Sequence, residues 1–337
     1  MANFLMPENT FESEVNHEAT VAVARGPIGD IAATDDGTVV VTNYADDTVS
    51  LLDADTREVV GVVAVPGEPF AVAVSDDRAF VSTSSASSDA VSVIDTVTQT
   101  VIATYSLAFN VAALAASPDG KRVYAARIGD NYADVAVIDV TAERVGTMDI
   151  GTGAGIGIDA MCVDSTGKRL YVATTYAGGS SVVTVDIETA RIERTVPVGS
   201  PIRDLAVADA VAYVLTSDRA SGGSVNVIDL STGDVTHSID LGVGAPTQMA
   251  ISADNTRLYV VDYDGVTAVC TLSGTIVDTM KFEARPSCVA VDSEAGRLHV
   301  ADYSGEVTTF AVAAAVPQLY SQFVPTDPVR VLEPAGV

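Results

Sequence analysis

Ala71-Val72-Ala73-Val74-Ser75, a turn at Asp76-Asp77, then Arg78-Ala79-Phe80-Val81-Ser82 open the stretch that decides the fold. A loop over residues 84–89 leads to Val91-Ser92-Val93-Ile94-Asp95, and a second turn over 96–99 leads to a last run over 100–105. Within each run apolar and polar residues alternate, and clusters of Asp and Ser separate the runs. That is the pattern of short antiparallel strands. The small side chains of 71–75 suit a strand crowded by its neighbours. No apolar stripe with a period of 3.6 residues appears, so no helix is expected.

The same four-run unit recurs seven times, at intervals of about 40 to 47 residues. Its second run carries an aromatic or branched anchor: Val40-Val41-Thr42-Asn43, Phe80-Val81-Ser82-Thr83, Tyr124-Ala125-Ala126-Arg127, Tyr171-Val172-Ala173-Thr174, Tyr213-Val214-Leu215-Thr216, Tyr259-Val260-Val261-Asp262 and His299-Val300-Ala301-Asp302. Five of the third runs end in Asp, at Asp53, Asp95, Asp139, Asp186 and Asp229. An Asp there can accept backbone N–H bonds two residues on and close a turn. Cys270 and Ala311 stand in its place in the last two repeats, so different turns are expected there.

Repeats of this length and make-up are propeller blades. The expected fold is all-β, a seven-bladed beta-propeller of four-stranded antiparallel blades. The seventh repeat supplies only three runs, at 287–291, 297–301 and 306–311. Residues 19–24 match its missing outer strand, so an N-terminal strand completes the last blade and closes the ring. The chain then divides into an acidic leader (1–18), the propeller (19–312) and a Pro-rich tail (313–337), which straps back across the ring.

The chain of 337 residues carries 45 acidic and 18 basic side chains, for a net charge of −27. Such a surface repels phosphate backbones, which excludes nucleic acid and anionic membrane as general partners, and it favours a dispersed monomer. No apolar run is long enough to cross a bilayer, and residues 1–20 lack the basic and apolar segments of a secretory signal. A soluble, cytoplasmic protein is expected. The cysteines Cys162, Cys270 and Cys288 fall inside strands without pair spacing and read as reduced thiols.

The Tyr-Val-Thr-Asn-like anchor, the Val-x-Val-Ile-Asp third run and the turn Ser117-Pro118-Asp119-Gly120 resemble the YVTN family of seven-bladed propeller repeats over residues 19–312. The resemblance implies the fold. It implies function only broadly, since that family includes surface, binding and redox-associated members and is similar to lactonases.

Propeller ligands meet the face where loops before the inner strands and after the second strands converge on the axis. Ligand contacts are expected there from Asn43, Phe70, Arg127, Tyr176, Arg203 and Gln248. Asp30, Asp159, Asp204, Asp262 and Asp302 reach the same face. Crowded carboxylates either recruit a divalent cation such as Ca or Mg, with Asn43 as a neutral oxygen ligand, or line a wet channel and pair with Arg127 and Arg203. The loops after the second strands of blades three to five read as the longest and carry Tyr132, Tyr176 and Arg219. Among the histidines, His17 falls in the leader, His237 on an outer strand and His299 in the core, so no His-based zinc site or triad is expected. The glycines of 151–157 have the wrong spacing for a dinucleotide turn and precede a strand. No cofactor beyond a cation is implied. The reading is a non-catalytic scaffold binding a protein or small ligand on its loop-rich face. Its alternative is a metal-dependent, lactonase-like hydrolase using an acidic central funnel.

Overall fold

The computed structural model describes residues 15–107, 110–242, 244–292 and 294–312; the tail 313–337 and most of the leader lie outside them. Among the described residues there is no helix, and the strands form seven four-stranded antiparallel sheets. The inner strands are Ile28–Ala33, Glu68–Ser75, Val111–Ala116, Gly157–Val163, Ile202–Ala208, Gln248–Ile251 and Pro286–Asp292, one for each of blades 1 to 7. Each touches the inner strand on either side, and the first touches the last, so the ring is closed.

Alternation along the second strands explains how the ring is held. In blade 3, Val123 and Ala125 pack toward blade 2 while Tyr124 and Ala126 pack toward blade 4. In blade 4, Leu170 and Val172 face blade 3, and Tyr171 and Ala173 face blade 5. A two-residue period puts successive side chains on opposite faces of a strand, so a sheet buried on both faces is apolar at every step. The seven apolar clusters are accordingly the seven interfaces between neighbouring blades. Each fully buried Val, Leu or Ile contributes about 1.5–3 kcal/mol there.

The last blade is ordered as the closing strand Val15–Ala22, then Glu306–Val312, Arg297–Asp302 and Pro286–Asp292. The closing strand thus begins before the expected residue 19, and His17 and Glu18 belong to the blade rather than to the leader. The reason lies in its partners: Val15 is buried opposite Val312, and the His17 ring meets the edge of Phe310. The register slips between His17 and Ala19, leaving Glu18 as a bulge. Its carboxylate reaches Arg57 of blade 1 at 2.9 Å and Arg297 of blade 7 at 3.2 Å, while Arg297 also meets Asp55 of blade 1 at 2.7 Å.

At the other end of the seam, the amides of Val23 and Ala24 donate to the carbonyl of Gly305. Gly305 has φ +95°, and a Cβ there would lie 2.4 Å from the Ala24 carbonyl oxygen. Gly305→Ala is therefore expected to lower unfolding stability by roughly 2–4 kcal/mol, from the forbidden dihedral and the overlap together. Denaturant titration measures it. An unchanged midpoint would show that the seam relaxes at no cost.

All five repeat aspartates close their turns. Asp53 accepts the amides of Asp55 and Thr56, Asp95 that of Thr98, Asp139 those of Thr141 and Ala142, Asp186 that of Thr189, and Asp229 those of Ser231 and Thr232. Hydroxyl bonds from Thr189 to Asp186 and from Ser231 to Asp229, together with these amides, favour the ionised form and hold Asp53, Asp95, Asp186 and Asp229 below the usual carboxylate range. At Cys270 the Gly274 amide donates to the Cys270 carbonyl, the same backbone bond that Arg57 makes to Asp53 and Gly233 to Asp229. One expectation is corrected. The connections after the second strands of blades 3 to 5 are short, because the strand pairs continue to Ile128–Ala133, Tyr176–Gly179 and Asp218–Gly222 before turning.

Candidate functional site

Register places one residue of each inner strand at the same level of the axial channel. Ile31, Val72, Leu114, Met161, Leu205, Met249 and Val289 pair with the second anchor residue of their blades. The residue before each is Asp30, Ala71, Ala113, Ala160, Asp204, Gln248 or Cys288. The three polar members reach sideways to the next blade. Asp30 accepts the Val72 amide at 3.0 Å, Asp204 the Met249 amide at 2.7 Å, and the Gln248 side-chain oxygen the Val289 amide at 2.8 Å. Gln248 also donates from Nε2 to Asp30 at 2.9 Å, linking blade 6 to blade 1. The two aspartates keep some surface toward the channel, yet their carboxyls lie deep among the inner strands. Burial raises the pKa of Asp30 and pushes that of Asp204 up to about 7, with the charge of Asp30 adding to the latter.

One step nearer the mouth stand Asp159 and Arg203. Burial raises the Asp159 pKa, opposed by the Thr175 hydroxyl that donates to it and by the charge of Arg203. Asp159, Ile202, Arg203, Ser217, Thr247 and Arg285 surround a depression of about 350 Å³. The Arg285 guanidinium lies between two tyrosine rings, 4.1 Å from the centroid of Tyr263 and 4.8 Å from that of Tyr303. A larger hollow of about 510 Å³ opens on the opposite face beside Ser117, Asp119 and Arg122. There Ser117 donates to Asp119 and accepts the Arg122 amide, so those groups serve the turn.

The expected site residues divide by position. Gln248, Asp30 and Asp204 share the channel ring, and Asp159 and Arg203 share the depression. Phe70 and Tyr176 are 49% and 43% exposed on the same face. Asn43 is buried, donating to Thr48 and Ser50 while its side-chain oxygen has no hydrogen-bond partner. Arg127 is held bidentately by Asp134 at 2.7 and 2.9 Å. Asp262 accepts the amides of Asp264 and Gly265, and Asp302 those of Ser304, Gly305 and Glu306. The five candidate carboxylates thus do not meet, and among the described residues no three His, Cys, Asp or Glu side chains form a metal-holding group. Asp302→Ala is expected to cost about 1–3 kcal/mol of unfolding stability, the worth of charged hydrogen bonds in a buried turn. Equal urea midpoints for the two proteins would show that water replaces them freely.

Arg285, Tyr263, Tyr303 and Tyr44 escaped the sequence reading. Their signal was present: a tyrosine follows the last anchor residue in Asn43-Tyr44, Asp262-Tyr263 and Asp302-Tyr303. With Phe70, Tyr132 and Tyr176 they complete the exposed aromatic side chains of the described residues. Phe70 sits near the start of the inner strand Glu68–Ser75, where its register slips, and the five tyrosines sit at the turn from a second to a third strand. They therefore share the loop-rich face.

No family model matches the chain. It is 54% identical over 309 residues to a seven-bladed beta-propeller protein of Mycolicibacterium smegmatis, covering 91% of this chain and 84% of that one. A seven-bladed beta-propeller protein of Mycobacterium tuberculosis is 34% identical over 334 residues, covering 88% and 84%. Among solved structures, Kuenenia stuttgartiensis hydrazine synthase aligns with a TM-score of 0.72 at 20% identity, over 92% of this chain and 99% of that one. The beta-propeller domain of Myceliophteria thermophila Cps50 (Swd1) aligns with a TM-score of 0.74 at 13% identity, over 89% and 100%. These two share the fold. With both mycobacterial relatives covered over most of their length and the same ring of seven blades, the chain belongs to the seven-bladed beta-propeller proteins.

Proposed function

We propose that this propeller is a non-catalytic binding platform whose working surface is the loop-rich face, and we read its repeats as of the YVTN type. One observation carries the reading: Tyr44, Phe70, Tyr132, Tyr176, Tyr263 and Tyr303 are all exposed on that face. Exposed aromatics are unfavourable in water and frequent at interfaces, where a rigid ring covers much area at small entropic cost. Short hairpins on a closed ring hold them in fixed positions, so little ordering remains to oppose binding.

Of the five carboxylates that a hydrolase could draw on, Asp262 and Asp302 serve as turn acceptors and Asp30 and Asp204 as links between inner strands, while Asp159 accepts the Thr175 hydroxyl. A photocrosslinking residue at position 176 or 303 is expected to form adducts in the host cell. The same residue at position 97 or 272, in exposed turns of the opposite face, is expected to form none. Equal labelling from both faces, or silence at 176 and 303, defeats the proposal.

A further inference from the structure

The depression between blades 4 and 7 has an electrostatic character unlike the rest of the molecule. In a chain with 45 acids and 18 bases, two arginines, Arg203 and Arg285, line one hollow. Among the described residues neither forms an ion pair, and Asp159, the acid on the same lining, accepts the Thr175 hydroxyl, so the two guanidinium groups outnumber the carboxylate there. The Arg285 guanidinium lies over both the Tyr263 and the Tyr303 ring, and these cation–π contacts hold it at the hollow without using up its N–H donors. A guanidinium edge presents paired donors that match the two oxygens of a carboxylate, and the two rings hold the Arg285 head in place beforehand. Ser217 and Thr247 add hydroxyls to the wall, and Ile202, Ala245 and Pro246 add an apolar side. The volume of about 350 Å³ lies at the small end of ligand pockets.

Resting on the reading of this face as the binding face, we infer that the depression binds a small organic carboxylate. Arg285 and Arg203 take the anionic end, and the Ile202–Ala245–Pro246 wall takes a short apolar or aromatic body. The two-oxygen, planar group suits a pair of guanidinium edges beside an apolar wall better than a tetrahedral phosphate does.

Titration calorimetry of the full chain with acetate, phenylacetate, phenylacetamide and inorganic phosphate tests the inference. Phenylacetate is expected to bind with a Kd in the millimolar range or below. Its neutral amide and phosphate are expected to bind at least tenfold more weakly, and acetate more weakly than phenylacetate. Arg285→Gln and Arg203→Gln should each weaken phenylacetate about tenfold with unchanged melting temperature. Arg191→Gln, exposed on an outer strand, should leave binding as it was. Phenylacetate binding no better than its amide or phosphate overturns the inference, as does insensitivity to both arginine variants. If crosslinking from positions 176 and 303 persists when phenylacetate fails, the carboxylate site is wrong and the platform stands. If crosslinking fails too, the platform reading falls with it.

Discussion

A chain starting at residue 23 is expected to aggregate or to melt at least roughly 10 °C below one starting at residue 15, the difference isolating the closing strand. The strand pairs with Glu306–Val312 from Val15 to Ala22. It buries Val15 in the interface between blades 6 and 7 and packs Val21 into the one between blades 7 and 1. Val15 contributes about 2 kcal/mol by burial. Glu18 disappears with it, leaving Arg57 and Arg297 without the carboxylate that ties blade 1 to blade 7. Loss of these contacts opens a three-stranded sheet whose unpaired edge is a template for intermolecular pairing. Other blade contacts join segments that follow one another in sequence, but this seam joins the two ends of the ring, so its loss exposes two blade faces at once. Differential scanning calorimetry with light scattering reads both outcomes. Coincident melting of the two chains would mean that the ring holds without its seal.

The fold was legible because its cause is local. Alternation, the anchors and the turn-closing aspartates each occupy a few consecutive residues, and repetition removes ambiguity that one copy would leave. The closing strand was legible for the same reason, as the one missing run of the seventh repeat. Its start was not, because what extends it to Val15 is the Val312 and Phe310 surface at the far end of the chain.

At the site, position was readable and bonding was not. Asp30, Asp204 and Gln248 were expected at the channel, yet their bonds to neighbouring inner strands depend on the offset between blades, which no short stretch encodes. Asp262 and Asp302 resemble ligands by composition. The glycine three residues on, Gly265 or Gly305, is the better clue, since both aspartates bond that glycine's amide. Arg285 could not be foreseen between Tyr263 and Tyr303, because three separate loops meet there only through the curvature of the ring.

Asp204→Asn is expected to remove one falling component from the pH dependence of stability between pH 5 and pH 8. Burial among the inner strands raises the Asp204 pKa from 3.8 in the unfolded chain to about 7 in the folded one. A carboxyl that binds its proton more tightly when folded contributes stability that is complete below the unfolded value. That contribution declines as pH rises through the interval and is gone above about 7. Between pH 5 and pH 8 it amounts to roughly 2–3 kcal/mol, or a fall of roughly 4 °C in melting temperature. The surface aspartates held low by their turns act at lower pH and in the opposite sense, since they lose stability as pH falls through their folded values. They do not blur the upper window. Asn cannot ionise, and its side-chain oxygen replaces only one of the two acceptors that serve Leu205 and Met249, so the variant is less stable than the parent at pH 5. Burial lowers the His299 pKa from 6.5 to about 4, so parent and variant alike gain stability as pH rises from 5 to 6.5. The quantity to compare is therefore the difference in slope: from pH 5 to pH 8 the parent should fall behind the variant by roughly 2–3 kcal/mol. Parallel slopes would mean that Asp204 is ionised throughout, with the channel wet enough to solvate it. Asp30→Asn refines the test. Removing a nearby negative charge lowers the Asp204 pKa, so the descent of the parent curve should move to lower pH while keeping its sign.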